Sequence, residues 1–413
     1  MKRLLLFSMI CLICTGCGTE GSSGNELGND DVGFDEDDYK DIAAPHNVFG
    51  FNMLENTEAD DSDNLFLSPT SLFLAMSMVY NGADGETKDE IQSAFDLENS
   101  DLDKLNKATA SLMDMLDKDT DAIETEIANS IWVSDDLELQ DSYQKRVQDY
   151  LQADVHAIDI SDDSSVDDIN QWVQDATNDK ITDIVDSPLN QDIVALLLNA
   201  IYFNGDWAYP FNPDETTKEA FRTYKGEDIN VDMMKLHEDR LSYMEDDTVQ
   251  AVSLPYGDGE MKMDIFVPKE DESMTTFKEN LTKDKWNEWQ NEFHEQEGTV
   301  ELPKFELDYE ETLNDMLQKM GIEKAFDDNA DFPNMIRDDD AIRLSEVKQK
   351  TYVNVDETGT EAAGSTSTEM ETTSLPVDEP FHIVADKPFF ITITDDEADI
   401  ILFMGIVNNP EES

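Results

Sequence analysis

The five histidines of this chain are His46, His156, His237, His294 and His382. No two stand at the HxH or HExxH spacing that brings two imidazoles to one ion, so no metal site is expected. Each lone histidine is read as a surface or core residue. There is no G-x-S-x-G turn to raise a serine nucleophile and no GxxxxGK[ST] loop to cradle phosphates. Gly257-Asp258-Gly259 reads as a hairpin turn. Asp327, Asn329 and Asp331 open like a calcium loop, but Phe332 replaces the required glycine and Asp338 stands where a glutamate is expected. Carboxylate pairs are everywhere among 96 Asp+Glu, so they say nothing about acid–base catalysis. No cofactor is expected, and the chain does not read as an enzyme.

The chemistry that the pattern does offer is that of a backbone. Asp356 to Pro380 is a long run of small and polar residues without Lys or Arg. A stretch of more than about 15 residues without structure is uncommon in a compact domain and tends to be functional or disordered. Thr360, Ala362, Gly364, Thr366, Thr368 and Met370 are all uncharged and share one parity. Glu361, Ala363, Ser365, Ser367, Glu369 and Glu371 share the other. As a strand, the run has one face that could enter an apolar interior and one that keeps its glutamates in water. Taken alone, the alternation fits a flexible surface loop as well.

The elements that must position this run are partly legible. Asn64 to Leu67 reads as a short strand, and Ser68-Pro69 caps a helix that ends at Asn81-Gly82. Thr87 to Phe95 reads as a second short helix. Ala195 to Phe203 is apolar throughout and suits a central strand buried on both faces. Val249 to Val267 reads as a hairpin about the Gly257-Gly259 turn. Lys348 to Val355 alternates as a strand, and Pro388 to Ile393 with Ile400 to Val407 form a last strand pair. Helices crowd the first half and strands the second, without an internal repeat. The expected fold is therefore mixed α+β, in one large unit.

Charge excludes partners. The formal net charge is −68, from 28 Lys+Arg against 96 Asp+Glu. Nucleic-acid affinity needs cations on phosphates, and an anionic membrane surface repels such a body. The 20 Phe, 18 Met and 5 Trp argue for a folded protein rather than an acidic disordered one. Adaptation to high salt, which screens self-repulsion, is the reading adopted.

Lys2-Arg3, the apolar run Leu4 to Cys14 and Thr15-Gly16-Cys17 have the form of an export signal. The run is too short to span a bilayer. Its Gly-Cys end looks like a lipoprotein signal with Cys17 lipidated after cleavage, although Cys14 stands where leucine is preferred; an ordinary signal with a chance cysteine is the alternative. All three cysteines lie here, so the mature body has no disulfide and no thiolate nucleophile. The expected division is a signal peptide over 1–16, a flexible acidic tether over 17–41, and one domain over 42–413.

Six motifs in order resemble the serpin family. They are Asn64 to Ser71 with Gly82 to Thr87; Asn199 to Trp207 with Pro210-Phe211; Leu254-Pro255-Tyr256; Leu302 to Phe305; Gly359 to Ser365; and Ala385 to Phe389 with Phe403-Met404-Gly405. The resemblance runs from about residue 45 to 410. With the lipoprotein-type signal it is similar to bacterial or archaeal serpins. It implies a serpin-type domain with a large mixed main sheet, smaller sheets, about eight or nine helices and an exposed reactive-centre loop near 357–380. It also implies irreversible suicide inhibition of serine endopeptidases, the cleaved loop inserting as a new strand of the main sheet. The alternative is a non-inhibitory serpin-fold binding protein at the cell surface.

By the family's spacing, Gly359, Thr360, Glu361, Ala362, Ala363, Gly364 and Ser365 form the hinge, and the reactive bond joins Thr373 to Ser374. Counting back from Pro388 moves the bond toward Val377, and Met370 or Leu375 suits some proteases. A small β-branched residue before the bond fits elastase-like or subtilisin-like enzymes. By resemblance Ser68, Ser71 and Asn199 belong to the shutter that gates sheet opening, with Gln349 where the family often has histidine. Trp207 and the pair Glu357–Lys304 lie where the loop enters. The implied partner is a target protease bound covalently by a monomer, with no nucleic acid, no heparin-like polyanion, and membrane contact through the lipid anchor only. The implied location is outward-facing on the cell envelope.

Overall fold

The apolar runs become the inner strands of two sheets. This computed structural model describes residues 32–412 apart from 58–61, 98–100, 117–119, 121, 191–192, 271, 338–341 and 361–378. In chain order the strands are Leu65–Leu67 (β1), Ile123–Ser134 (β2), Asp154–Ile158 (β3), Ala195–Asp206 (β4), Thr217–Arg222 (β5), Asp228–Glu245 (β6), Val249–Tyr256 (β7) and Met261–Pro268 (β8). They continue with His294–Pro303 (β9), Phe305–Thr312 (β10), Glu346–Val355 (β11), Gly359–Thr360 (β12), Phe381–Val384 (β13), Phe389–Asp395 (β14) and Ile400–Val407 (β15). Nine α-helices lie among the described residues, of which Lys40–Asn56 (α1), Pro69–Gly82 (α2) and Ser164–Ala176 (α3) matter most here. The fold is mixed α+β, as the sequence implies.

One sheet has six strands in the order β10-β11-β12-β4-β2-β3, and β11 also pairs directly with β4. The other runs β1-β15-β14-β8-β7-β6-β9-β13, with β5 on the side of β6. Strand β4 divides the core by its period of two. Leu197, Ile201 and Phe203 enter the main core, while Leu196, Leu198 and Ala200 enter a second one with Val166, Ile169 and Val173 of α3. A strand covered on both faces has no reason to alternate with polar residues, which is why Ala195 to Phe203 is apolar throughout.

Helix α2 runs beneath the six-stranded sheet, and all its residues are buried. Its start is fixed locally: Ser68 Oγ accepts the Ser71 amide at 3.2 Å, and Pro69 fills the first turn. Ser71 and Asn199, distant in sequence, thereby face each other across the interface of α2 and β4.

One expected boundary moves. The tether expected over 17–41 is already packed at its end, because Phe34 and Tyr39 are buried. The Tyr39 amide donates to Ser111 Oγ at 3.2 Å, and that hydroxyl donates to the Glu36 carbonyl at 2.8 Å. Two aromatics outweigh the acidic composition around them.

Candidate functional site

The site is a seam between two parallel strands. Leu196–Tyr202 of β4 pairs directly with Glu346–Tyr352 of β11. Above Tyr202 the strands part and β12 lies between them, antiparallel to both. Thr360 pairs with Val355 on one side and Gly205 on the other, and Gly359 pairs with Asp206. The chain turns back into the sheet at Asp356. Its Oδ1 accepts the Thr358 amide at 2.8 Å and the Thr358 hydroxyl at 2.6 Å, a local closure typical of aspartate in turns. Gly359 is obligatory there, since a Cβ would lie 2.1 Å from the Gly205 carbonyl oxygen.

The upper end of the seam is charged and half-buried. Lys304 Nζ donates to Glu357 Oε2 at 2.7 Å, and Thr216 Oγ1 donates to Glu357 Oε1 at 2.8 Å. Burial pushes the Glu357 carboxyl up, but the Lys304 and Thr216 hydrogen bonds outweigh it and hold it below the ordinary range. Asp206 is pushed up by burial and by the nearby Asp356. Trp207 floors this end. Its Nε1 donates to the Asp356 carbonyl at 3.0 Å, its amide donates to the Thr358 carbonyl at 2.9 Å, and its ring stacks on Tyr256 at 4.4 Å and 11°. Thr360 is fully buried, with Oγ1 2.7 Å from the Tyr256 hydroxyl.

The lower end is neutral and dry. Gln349 accepts the Ser68 amide at 3.0 Å and donates to the Ser68 carbonyl at 3.0 Å and to Asn199 Oδ1 at 2.7 Å. Asn199 Nδ2 donates to Asn129 Oδ1 at 2.7 Å and to the Ser71 hydroxyl. Ser68 Oγ donates to the Leu402 carbonyl at 2.7 Å. All of these side chains are buried. Behind them His46 Nε2 lies 3.0 Å from Thr70 Oγ1, and burial pushes the His46 imidazole down to about 4, against the hydrogen bond that Asn47 Oδ1 accepts from Nδ1 at 3.2 Å. One amide bonded to both backbone groups of Ser68 and to Asn199 clamps β11 to β4 and to the start of α2.

A model of the serpin (serine protease inhibitor) family matches residues 44–410. The chain belongs to the serpin family. An uncharacterized serpin-like protein of Methanosarcina acetivorans is 34% identical over 425 residues, covering 98% of this chain and 97% of that one. Iripin-2 of Ixodes ricinus is 33% identical over 378 residues, 89% of this chain and 93% of its own. Among solved structures, the thermophilic serpin tengpin in its native state superposes with a TM-score of 0.82 at 28% identity, over 90% of this chain and 94% of that one. Human thyroxine-binding globulin superposes at 0.83 with 25% identity, over 90% and 99%. Membership supports a serine protease inhibitor function in general.

In this serpin the expected residues fall into three groups. Ser68, Ser71, Asn199 and Gln349 meet at the lower end of the seam. Trp207, Lys304, Glu357, Gly359 and Thr360 meet at the upper end. Glu361, Ala362, Ala363, Gly364 and Ser365 of the hinge, the bond Thr373–Ser374, and Cys17 lie outside the described residues. Tyr256, Asn129 and His46 belong to the assembly without having been singled out. The Leu254-Pro255-Tyr256 motif marks Tyr256, but only the crossing of β7 beneath the end of β4 reveals its contact with Thr360. Away from the seam, His237, Asp239 and Glu297 each bring one ligand-type atom within 4.8 Å of the others, on the outer side of β6 and β9.

Proposed function

We propose that this serpin is an irreversible suicide-substrate inhibitor of serine endopeptidases of elastase-like or subtilisin-like preference. The observation that carries this reading is β12, two loop residues already seated between β4 and β11. Below it the two strands pair only with each other across the seam. The uncharged positions Ala362, Gly364, Thr366, Thr368 and Met370 continue the buried parity of Thr360. In this mechanism the protease serine attacks the Thr373 carbonyl carbon and the Thr373–Ser374 bond breaks. The proton from the serine hydroxyl passes to the leaving amine of Ser374, and Thr373 remains as an ester on the protease. Insertion of about a dozen residues then exchanges one set of interstrand bonds for two. At about 1 kcal/mol per added hydrogen bond this favours insertion by roughly 10 kcal/mol, enough to carry the ester away from its attacking water.

The test is incubation with elastase-like and subtilisin-like proteases, followed by denaturing electrophoresis. The expected product is a covalent complex that survives SDS. Thr366→Arg places a charge at the buried parity, which costs several kcal/mol without a partner, and turns the inhibitor into a substrate. Cleavage without complex formation by every such protease favours the second reading, a binding protein on the same scaffold. Its support is the likeness to a thyroxine-binding globulin.

We further propose that the protein is exported and anchored through Cys17, and that it acts as a monomer without a polyanion cofactor. With 28 Lys+Arg against 96 Asp+Glu, a basic face for heparin-like chains has little to build it. High-salt adaptation predicts that stability rises with NaCl, because screening relieves repulsion among the carboxylates. A stability indifferent to NaCl contradicts it.

A further inference from the structure

We propose that the Tyr256 hydroxyl is a latch that holds the first loop residue in the sheet and so sets where strand insertion begins. The consequence for inhibition rests on the reading above; the latch itself does not.

The phenol comes from β7, in the other sheet. Tyr256 bridges Trp207 through the backbone: the Gly257 amide donates to the Asp206 carbonyl at 2.8 Å and the Ala208 amide donates to the Pro255 carbonyl at 2.9 Å, so the chain on both sides of Tyr256 is tied to the upper end of β4. The ring cannot swing away. Trp207 stacks on one side of it, Phe203 meets it edge-on at 5.0 Å and 67°, and a Cβ on Gly205 would lie 2.9 Å from its ring carbon. Its hydroxyl is thereby fixed in a buried position. Among the described residues, Thr360 Oγ1 at 2.7 Å is its only hydrogen-bond partner.

Two buried hydroxyls that satisfy each other couple to the position of the chain. If Gly359–Thr360 leaves the sheet, Thr360 reaches water but the Tyr256 hydroxyl stays buried without a partner, which is the costly half of breaking a buried hydrogen bond. The seated hinge is favoured by that asymmetry. With Thr360 in place, the next residues of matching parity find the strands already parted, and insertion proceeds downward from an existing edge. Without the latch, insertion has to begin by opening the seam, and during that delay the protease completes hydrolysis. Tyr256 is a positioning residue, acting on the loop rather than on the reacting bond.

The experiment compares wild type, Tyr256→Phe, Thr360→Val and the double variant in the full chain. Each is followed by hydrogen exchange of the backbone over residues 356–360 and by the number of inhibitor molecules consumed per protease trapped. Each single variant leaves one buried hydroxyl alone and is expected to speed exchange about tenfold and to raise consumption severalfold. The double variant removes both hydroxyls, and both readouts return toward wild type. Unchanged exchange in Tyr256→Phe overturns the latch, whatever the inhibition. Faster exchange with unchanged consumption overturns its role in insertion, as does a double variant no better than the singles. If wild type forms no covalent complex at all, the inhibitory reading fails, while the exchange comparison still decides the latch.

Discussion

The two ends of the seam between β4 and β11 are held by different chemistry. The lower end joins amides and hydroxyls that are fully buried and carry no charge: Gln349, Asn199, Asn129, Ser68 and Ser71. The upper end joins Lys304 and Glu357, which water partly reaches, with a piece of loop backbone between the strands. The difference implies an order of events. In the proposed insertion, the end already parted offers two free strand edges before the Tyr202–Tyr352 pairing is reached, whereas the closed end yields only when Gln349 and Asn199 give up partners in the buried core. It also implies different sensitivities, since salt screens exposed charges and barely reaches a buried neutral network.

Breaking the lower end has the largest expected effect. Gln349→Leu leaves the Ser68 amide and carbonyl and Asn199 Oδ1 without their shared partner, which is expected to cost about 4 kcal/mol. Denaturant unfolding measures it, and the loss is expected to be the same at low and high NaCl. A loss below about 1 kcal/mol means that the clamp does not hold the strands together.

The pH dependence sharpens the contrast next. His46 titrates near 4 when folded and near 6.5 when unfolded, so the unfolded chain binds the extra proton between those values. Its share of stability is complete above about pH 6.5 and falls as pH drops toward 4, by roughly 3 kcal/mol at most. His46→Gln keeps a polar partner for Thr70 without titrating. The difference between wild type and this variant, followed from pH 7 to 4, isolates the histidine from the many carboxylates. A constant difference across that range contradicts a buried neutral imidazole.

The smallest effect belongs to the upper end. Lys304→Met removes the cation beside Glu357, whose carboxyl then keeps the Thr216 hydrogen bond but loses the first of the contacts that hold it below its ordinary range. The expected cost is about 1 kcal/mol in dilute buffer and less in high salt. A cost that grows with NaCl contradicts the assignment of charge to this end.

Much of this arrangement was legible in the sequence, for identifiable reasons. Ala195 to Phe203 announced a central strand because burial on both faces leaves no polar alternation. Ser68-Pro69 announced a helix start because capping is local. The residues that meet at the two ends of the seam came from ordered motifs, with Gln349 placed by resemblance alone. What stayed hidden depends on contacts between distant segments. Strand β2 carries Glu124 and Glu126 among its apolar residues, so its upper part, beside Asn204 and Tyr202, does not look like the neighbour of a core strand. Asn129 is polar in that strand because Asn199 faces it at the same register. Phe34 and Tyr39 were masked by the acidic residues around them. Tyr256 could be seen as part of a motif, but its contact with Thr360 is created by one sheet crossing beneath the other.

In the proposed mechanism the seam accepts the cleaved loop as a strand. Thermal unfolding of the chain before and after a single cut in the loop tests it most directly. An added strand worth about 10 kcal/mol, against an unfolding entropy of about 2.1 cal/mol/K per residue over roughly 370 residues, predicts that the midpoint rises by roughly 13 °C after cleavage. A midpoint that stays the same or falls contradicts insertion, and with it the suicide-substrate mechanism.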